Sequence, residues 1–392
     1  MIKTIAIEQL RVGMYVTALD RSWLDHSLLV TRFLVKDPAM LRKVCDAGIR
    51  YVSIDTEKGL DIPPEAPEVS VPQVELPVDA PARSLRVAAL EERPRAEVLF
   101  GEATALVKGL MQDARVGNPL DLEQLEPVAE RMIGSVLRNP HALLSVCRLK
   151  RKDEYTFMHS VSVAALMVAF ARLRGQSEDE MRALAKGALL HDVGKVLVPD
   201  TILNKPGKLS AQEMARMRAH VNDGATLLRD RNLPDIALDV VTGHHERMDG
   251  SGYPQGLAGE ALSQAMRMSA IVDVYDALTS VRVYKDAWEP SFALKKLLEW
   301  SPAQFDATLV QQFIRCVGIY PVGSMVELSS GRVGFVVDQG EDMRQPVVRV
   351  VYHARHRHYV MPQNIDLSLA RDEAIVRVVS PAQFGIPAAE FV

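Results

Sequence analysis

The chain has 392 residues, of which 48% are hydrophobic, and a formal net charge of −4. This length suits two or three domains with a sizeable core, and the slightly acidic balance argues against a broad surface for a nucleic-acid polymer. The three cysteines, Cys45, Cys147 and Cys316, are far apart and odd in number, which is typical of reduced thiols in the cytosol. The N-terminus lacks a signal-peptide core, and the longest apolar run, residues 161–171, is too short to cross a bilayer. We therefore expect a cytoplasmic protein without a membrane span.

Residues 1–60 are predicted to form a small mixed α/β domain, possibly regulatory. The segments MYVTALD and RYVSIDT have the alternating, β-branched character of strands. Between them, DPAMLRKVCDAG predicts a helix that ends at Gly48. Residues 61–86 contain six prolines, which prevent a helix and predict an extended linker that acts as a tether.

Residues 87–319 are predicted to be helical, so the fold is expected to be mainly α. Ser177 and Ser210 each begin a capping box, with a glutamate three residues later and an apolar-periodic run behind it. The first of these helices is expected to end at HDVGK, residues 191–195, where Gly194 is a residue type that suits a helix terminus. Residues 320–392 have alternating strand patterns, SMVELSSGRVGFVVDQ and PVVRVVYHARHRHYVM, and predict a small β-rich appendage.

Histidines are concentrated in the helical region, where two of them stand together in HHERMDGSGYP, residues 244–254. Neighbours on a helix point about 100° apart, so such a pair serves two nearby ions, or an ion and a substrate, better than one ion. Imidazole and carboxylate are natural ligands for iron, manganese, nickel or zinc. Taken alone, however, the stretch also fits a polar helix end that runs into a turn.

An ordered set of motifs resembles the HD-GYP family, a branch of the HD phosphohydrolase superfamily. The motifs run over a core of residues 150–306 and include YTFMHS, ALLHDVGK, VPDTILNKPGKLS, HVNDGATLL, HHERMDGSGYPQGL, IVDVYDALTS and FDATLV. Residues 1–60 resemble, less specifically, a domain of unknown function that often precedes HD-GYP domains. The resemblance implies an HD-type helical bundle with phosphodiesterase activity.

The resemblance also implies a binuclear metal site. The matching ligand positions are His159, His191, Asp192, His220, His244, His245 and Asp273. Asp192 stands where the family has a carboxylate that bridges two ions. Some members bind a third ion through a glutamate four residues before the first ligand histidine, but here that position is Tyr155 and Glu154 lies one step off the helical face. We expect two divalent transition-metal ions, iron or manganese by preference, with nickel or zinc as alternatives.

The same resemblance assigns residues to the substrate. Lys195 matches a lysine that faces the substrate phosphate, although a lysine at a helix end is also favoured by the helix dipole. Arg282 and Lys285 match phosphate-binding positions, but Val283 replaces the usual proline beside them. In the family, the loop of Gly252, Tyr253 and Pro254 is associated with substrate recognition and with protein partners such as diguanylate cyclase domains.

The function implied is hydrolysis of cyclic di-GMP to pGpG, and possibly on to GMP, by a metal-activated hydroxide in bacterial second-messenger signalling. Asp192 would hold the ions and Lys195 would stabilise charge on the phosphate. Two other functions stay open: a receptor or docking module that binds cyclic di-GMP without turnover, and an HD hydrolase of another cyclic nucleotide. The late histidines His353, His356 and His358 could bind a metal, but a basic, solvated strand fits them better.

Overall fold

The computed structural model describes residues 2–19, 33–45, 51–56, 58–60, 87–147, 155–280, 287–340, 342–370 and 372–386. Contacts between residues divide the chain into two compact units, Met1–Ala80 and Pro81–Val392. The linker predicted for residues 61–86 lies outside the described residues, as do Glu154, Arg282, Val283 and Lys285.

The first unit contains a four-stranded antiparallel sheet in the order β1-β4-β2-β3. Its elements are β1 (Ile2–Ala6), β2 (Tyr15–Leu19), β3 (Phe33–Leu34), α1 (Pro38–Cys45) and β4 (Tyr51–Asp55). Ile5, Val16 and Ile54 are buried, because alternate residues of each strand point to the same face. The two predicted strands and the helix between them are confirmed, while the predicted helix end at Gly48 lies outside the described residues.

The second unit is mainly helical, which confirms the predicted fold class. The α-helices described in this unit before the C-terminal sheet are α2 (Ala89–Val116), α3 (Leu125–Arg138), α4 (Pro140–Cys147), α5 (Tyr155–Leu173), α6 (Glu178–Leu190), α7 (Asp200–Leu203), α8 (Ala211–Arg218), α9 (His220–Leu227), α10 (Asp235–Gly243), α11 (Gln264–Thr279), α12 (Pro290–Trp300) and α13 (Ala307–Val317). Both predicted capping boxes are present: Ser177 and Glu180 cap α6, and Ser210 and Glu213 cap α8.

Helix α5 is the apolar centre of this bundle and packs against α2, α6 and α11. Its segment Thr156–Leu173 has the length and composition of a membrane span, but 72% of it is buried inside the protein. This segment is longer than the 161–171 run identified in the sequence. Because a core helix of this burial passes the same test, its hydrophobicity is explained by packing.

The C-terminal residues form a five-stranded antiparallel sheet in the order β8-β7-β6-β5-β9. The elements are β5 (Met325–Leu328), β6 (Arg332–Asp338), β7 (Val347–His353), β8 (His358–Asp366), β9 (Ile375–Val378) and a short helix α14 (Pro381–Phe384). The predicted strands are confirmed. The sequence analysis did not predict β9 or α14. The sheet joins the bundle where the backbone N–H of Ala89 donates to Asp338 Oδ2 over 3.3 Å.

Candidate metal centre

Seven side chains proposed as ligands meet inside the helical bundle, although they come from five separate parts of the chain. His159 comes from α5, His191 and Asp192 from the turn after α6, His220 from the start of α9, His244 and His245 from the end of α10, and Asp273 from α11. Six of the seven residues are buried, and the His245 side chain is 18% exposed. Three triads bring their ligand atoms within 4.8 Å of one another: His159, His191 and Asp273; His191, Asp192 and His244; and His220, His244 and His245.

The carboxylate of Asp192 lies between two groups of histidines. Its Oδ2 is 3.3 Å from His191 Nε2 and 3.8 Å from His159 Nε2. Its Oδ1 points the other way, 3.4 Å from His220 Nε2 and 3.9 Å from His244 Nε2. A carboxylate with one oxygen in each direction is suited to hold two ions at once.

The imidazole rings are fixed by hydrogen bonds on the side away from Asp192. His191 Nδ1 lies 2.7 Å from the Ala188 carbonyl oxygen, His220 Nδ1 lies 2.6 Å from that of Met217, and His244 Nδ1 lies 3.0 Å from that of Val241. We assign the proton of each ring to Nδ1, because a carbonyl oxygen can only accept. Each Nε2 therefore carries a lone pair that points towards Asp192.

These lone pairs have no hydrogen-bond partner in the part of the chain that the structure describes. The Nε2 atoms of His191, His220 and His244 and the Oδ1 atom of Asp192 are all buried and unpaired there. Burying several unpaired acceptors together is costly, whereas a bound cation satisfies all of them. The donor set of nitrogen and oxygen atoms thus fits transition-metal ions.

The electrostatics of the centre favour a neutral imidazole at His244 and His245 and an ionised carboxylate at Asp192 and Asp273, the states that metal ligands need. Burial lowers the pKa of His244 well below its ordinary value and lowers that of His245 to about 3. Burial alone would raise the pKa of Asp192, but the charges of a neighbouring imidazole and of Lys195 hold it well below its usual range. Asp273 is held low in the same way by hydrogen bonding and charge from adjacent imidazoles. His244 and His245 are therefore neutral beside ionised carboxylates. The pKa of His191 is raised instead, because the effect of burial, which lowers it, is outweighed by the charge and hydrogen bonding of Asp192 and the charge of Asp273, and a bound cation would displace that proton.

Lys195 contacts the central carboxylate directly, with its Nζ 2.5 Å from Asp192 Oδ2. The contact depends on a 3₁₀ helix, Val193–Leu197, because three residues make one turn of that helix. The predicted end of α6 at residues 191–195 agrees with its C-cap, His191, but Gly194 itself lies beyond the helix terminus. Gly194 is needed for close packing instead: a Cβ there would lie 1.9 Å from the His220 carbonyl oxygen.

The loop that carries Gly252, Tyr253 and Pro254 is fixed against the centre by Glu246. This buried carboxylate accepts hydrogen bonds from the backbone N–H groups of Gln255 and Leu257, over 2.8 and 3.1 Å. A Cβ at Gly252 would lie 2.5 Å from backbone atoms of Glu246, so only glycine fits there. The loop therefore has one defined path beside His244 and His245.

Tyr253 covers the exposed side of the centre. Its ring centroid is 4.6 Å from that of His245, and its backbone N–H donates to the His245 carbonyl oxygen over 3.2 Å. The Tyr253 ring also contacts Arg218, whose guanidinium carbon lies 4.9 Å from the ring centroid. Burial raises the pKa of Tyr253, so its phenol stays neutral.

Sequence reasoning missed three residues that support this centre: Asp276, Glu246 and Arg218. Asp276 is buried, and its Oδ2 lies 2.6 Å from His159 Nδ1. Asp276 thus orients the His159 ring in the way that backbone carbonyl oxygens orient the rings of His191, His220 and His244. Its position three residues after Asp273, on the same helical face, was a signal that could have identified it. No comparable spacing pointed to Arg218 or Glu246.

Comparison with known proteins shows that this chain is an HD-domain protein. A family model described as an HD domain matches residues 137–309, and one described as a domain of unknown function, DUF3391, matches residues 2–125. The chain belongs to the HD-GYP family, with a DUF3391 domain ahead of its HD domain. The predicted family is therefore confirmed.

Three relatives illustrate the range of the family. Cyclic di-GMP phosphodiesterase PA4108 of Pseudomonas aeruginosa is 43% identical over 388 residues, which cover 98% of this chain and 93% of the relative. The response regulator RpfG of Xanthomonas campestris, also named a cyclic di-GMP phosphodiesterase, is 37% identical over 52% of this chain and 57% of its own. The 3'3'-cGAMP-specific phosphodiesterase 2 of Vibrio cholerae is 39% identical over 42% of this chain and 32% of its own. Among solved structures, Bd1817 of Bdellovibrio bacteriovorus, titled a HDG"Y"P protein, aligns with a TM-score of 0.49 at 19% identity, over 80% of this chain and 98% of its own.

Proposed function

We propose that this protein is a metal-dependent phosphodiesterase that hydrolyses cyclic di-GMP to the linear dinucleotide pGpG. The observation that carries the proposal is the position of Asp192, whose two oxygens face separate groups of unpaired histidine nitrogens. The relative from Pseudomonas aeruginosa, which matches nearly the whole chain, is named for this substrate. A cytoplasmic location agrees with an intracellular messenger as substrate.

Two ions would share the seven side chains. His159, His191 and Asp273 would hold one ion, His220, His244 and His245 would hold the other, and Asp192 would bridge them. Iron or manganese suits this mixture of imidazole and carboxylate ligands. When bound, such a pair supplies Lewis-acid activation of both water and the phosphodiester.

The charge of the ligand set favours an anionic substrate. The proposed ligands include two carboxylates, Asp192 and Asp273, and their histidines are neutral when they bind metal. Two divalent ions would therefore leave a net charge of about +2 in a buried site, which attracts phosphate oxygens. Lys195, beside Asp192, adds one more positive charge where a phosphate would approach.

The chain's own residues would then position the substrate. Lys195 would stabilise the charge that develops on the phosphate, and the rigid loop of Gly252, Tyr253 and Pro254 would limit the approach from the His245 side. Arg282 and Lys285 stay proposed as phosphate contacts from the sequence resemblance. The same loop is the proposed contact for protein partners.

The decisive experiment uses the full chain purified without oxygen. We expect about two transition-metal ions per chain by elemental analysis, and conversion of cyclic di-GMP to pGpG by chromatography. Binding of cyclic di-GMP without product, at full metal content, would favour a receptor instead. Since one relative is named for 3'3'-cGAMP, that nucleotide should be measured in parallel; a clear preference for it would assign the other substrate.

A further inference from the structure

A surface cavity reaches the metal centre at Lys195, which is one of its lining residues. It has a volume of about 110 Å³ and a mostly apolar lining, to which α2 contributes Met111, α5 contributes Phe157 and α7 contributes Leu203. We call it the Lys195 pocket, because the Lys195 side chain forms part of its wall. None of the proposed metal ligands lines it, so the metal centre does not explain it.

Lys195 connects the pocket to the metal centre. Its ammonium group contacts Asp192 Oδ2 at 2.5 Å, while its side chain lines the pocket. A ligand whose phosphate lies on the metal centre against Lys195 can therefore extend its next group into the pocket. In a nucleotide, that group is a base attached through the sugar.

The lining suits a flat aromatic group. Phe157 offers a ring for stacking, a contact that tolerates any base because every base has a π-face. Met111 is buried, and Phe157 and Leu203 are half-buried, so their exposed parts would lose contact with water when a base enters. Stacking and apolar contact would retain a base without distinguishing between bases.

An ion pair at the pocket's edge can distinguish one base from another. Arg115, from α2, donates to Asp200 Oδ2, at the start of α7, over 2.6 Å, and both side chains line the pocket. The two side chains are 56% and 60% exposed, so they are accessible to a ligand. A carboxylate only accepts hydrogen bonds and a guanidinium only donates them.

Guanine matches this pair better than adenine does. Guanine presents two adjacent N–H donors, N1 and the exocyclic N2, which one carboxylate can accept together, and its O6 and N7 accept from an arginine. Adenine has only its N6 amino group to offer the carboxylate. The pair therefore favours guanine through one additional charge-assisted hydrogen bond.

We propose that the Lys195 pocket binds one guanine base of the cyclic dinucleotide and that Asp200 is a specificity-determining residue. This assignment rests on the proposed function, because it needs a cyclic dinucleotide as substrate. It names the part of the site that would distinguish guanine from other bases.

The test compares cyclic di-GMP with cyclic di-IMP, whose hypoxanthine bases lack only the exocyclic N2 amine. The metal-loaded full chain should prefer cyclic di-GMP in kcat/KM by roughly tenfold or more, since a hydrogen bond to a charged group has about this effect. In Asp200→Asn the ratio of the two kcat/KM values should approach one. Glu102→Gln is the matched control, because Glu102 forms an exposed ion pair between α2 and α3 with Arg131, away from the pocket.

The outcomes separate the two proposals. If wild-type protein hydrolyses both nucleotides and Asp200→Asn keeps the wild-type ratio, the guanine pocket is wrong while the proposed function stands. If Glu102→Gln loses the ratio as well, the effect is not specific to the pocket and the assignment also falls. If metal-loaded wild-type protein hydrolyses neither nucleotide, the proposed function itself fails, and the pocket assignment fails with it.

Discussion

The molecule contains two clusters of histidines with similar spacing and very different surroundings. In the metal centre, the His244 ring centroid lies 4.8 Å from that of His191 and 5.7 Å from that of His220. At the turn between β7 and β8, the centroids of His353, His356 and His358 are 4.4 to 6.0 Å apart. Ring spacing alone therefore does not distinguish a metal site from a surface turn.

The surroundings of the two clusters do distinguish them. His356 and His358 are exposed, and the neighbouring Arg355 and Arg357 are exposed cations that disfavour a second cation. Outside the metal centre, no group of three His, Cys, Asp or Glu residues in the described part of the chain brings its ligand atoms within 4.8 Å. The metal centre adds burial, carboxylates and rings held by short Nδ1 contacts of 2.6 to 3.0 Å, whereas the surface cluster has a contact of 3.4 Å from His358 Nδ1 to the His356 carbonyl oxygen. The central carboxylate and the support of a ring can be removed separately.

The largest effect is expected from Asp192→Ala, which removes the carboxylate between the two groups of histidines. Both ions should bind more weakly, because the ligand is shared, and turnover should fall on the order of 10⁴-fold, the scale seen when a central catalytic group is removed. Elemental analysis measures the bound ions, and an assay of cyclic di-GMP hydrolysis on the same samples measures turnover. Asp223→Ala, which removes from α9 a carboxylate paired with Arg216 of α8, is the control. Loss of only one ion, with activity retained, would contradict the bridging role.

Lys195→Ala should separate chemistry from metal binding. Lys195 contacts Asp192 but is not a proposed ligand, so both ions should stay bound. Turnover should fall by roughly 100-fold, about 2.7 kcal/mol, as when one preorganised electrostatic contact is lost. Single-turnover kinetics with metal analysis would measure this, and Lys205→Ala, which breaks an ion pair with Glu213, is the control. Wild-type turnover in Lys195→Ala would show that this lysine has only a structural role.

Asp276→Asn tests whether orienting the His159 ring contributes to metal binding, because Asp276 contacts that ring but is not itself a proposed ligand. Loss of the charged partner of His159 Nδ1 should weaken metal affinity by about 10- to 100-fold, the usual scale for a residue that supports a ligand. Competition with a chelator measures the affinity. Activity should return when metal is raised to saturation, which distinguishes this residue from Lys195. Unchanged metal affinity would mean that Asp276 serves packing alone.

Much of the metal centre could be predicted from the sequence because its ligands lie in short, ordered motifs. The seven residues taken from those motifs do lie together in the structure. Residues that act through geometry were harder to find. The role of Gly194 was misjudged because it depends on how closely the His220 carbonyl oxygen approaches, which has no local signature. The Arg115–Asp200 pair joins residues 85 positions apart, so only the folded chain could reveal it.

The smallest effect is expected from the double substitution His356→Ala and His358→Ala, which removes most of the surface cluster. Neither residue is buried or linked to a carboxylate in the described part of the chain, and surface substitutions of this kind usually change stability by less than about 0.5 kcal/mol. The variant should therefore hold the same two ions per chain, unfold at nearly the same temperature and turn over substrate within about twofold of wild type. Elemental analysis before and after dialysis against a weak chelator would measure the ions. If wild-type protein kept a third ion that this variant lost, spacing would be sufficient to bind metal even on an exposed, arginine-rich turn, and burial with fixed rings would no longer explain why the helical centre is the metal site.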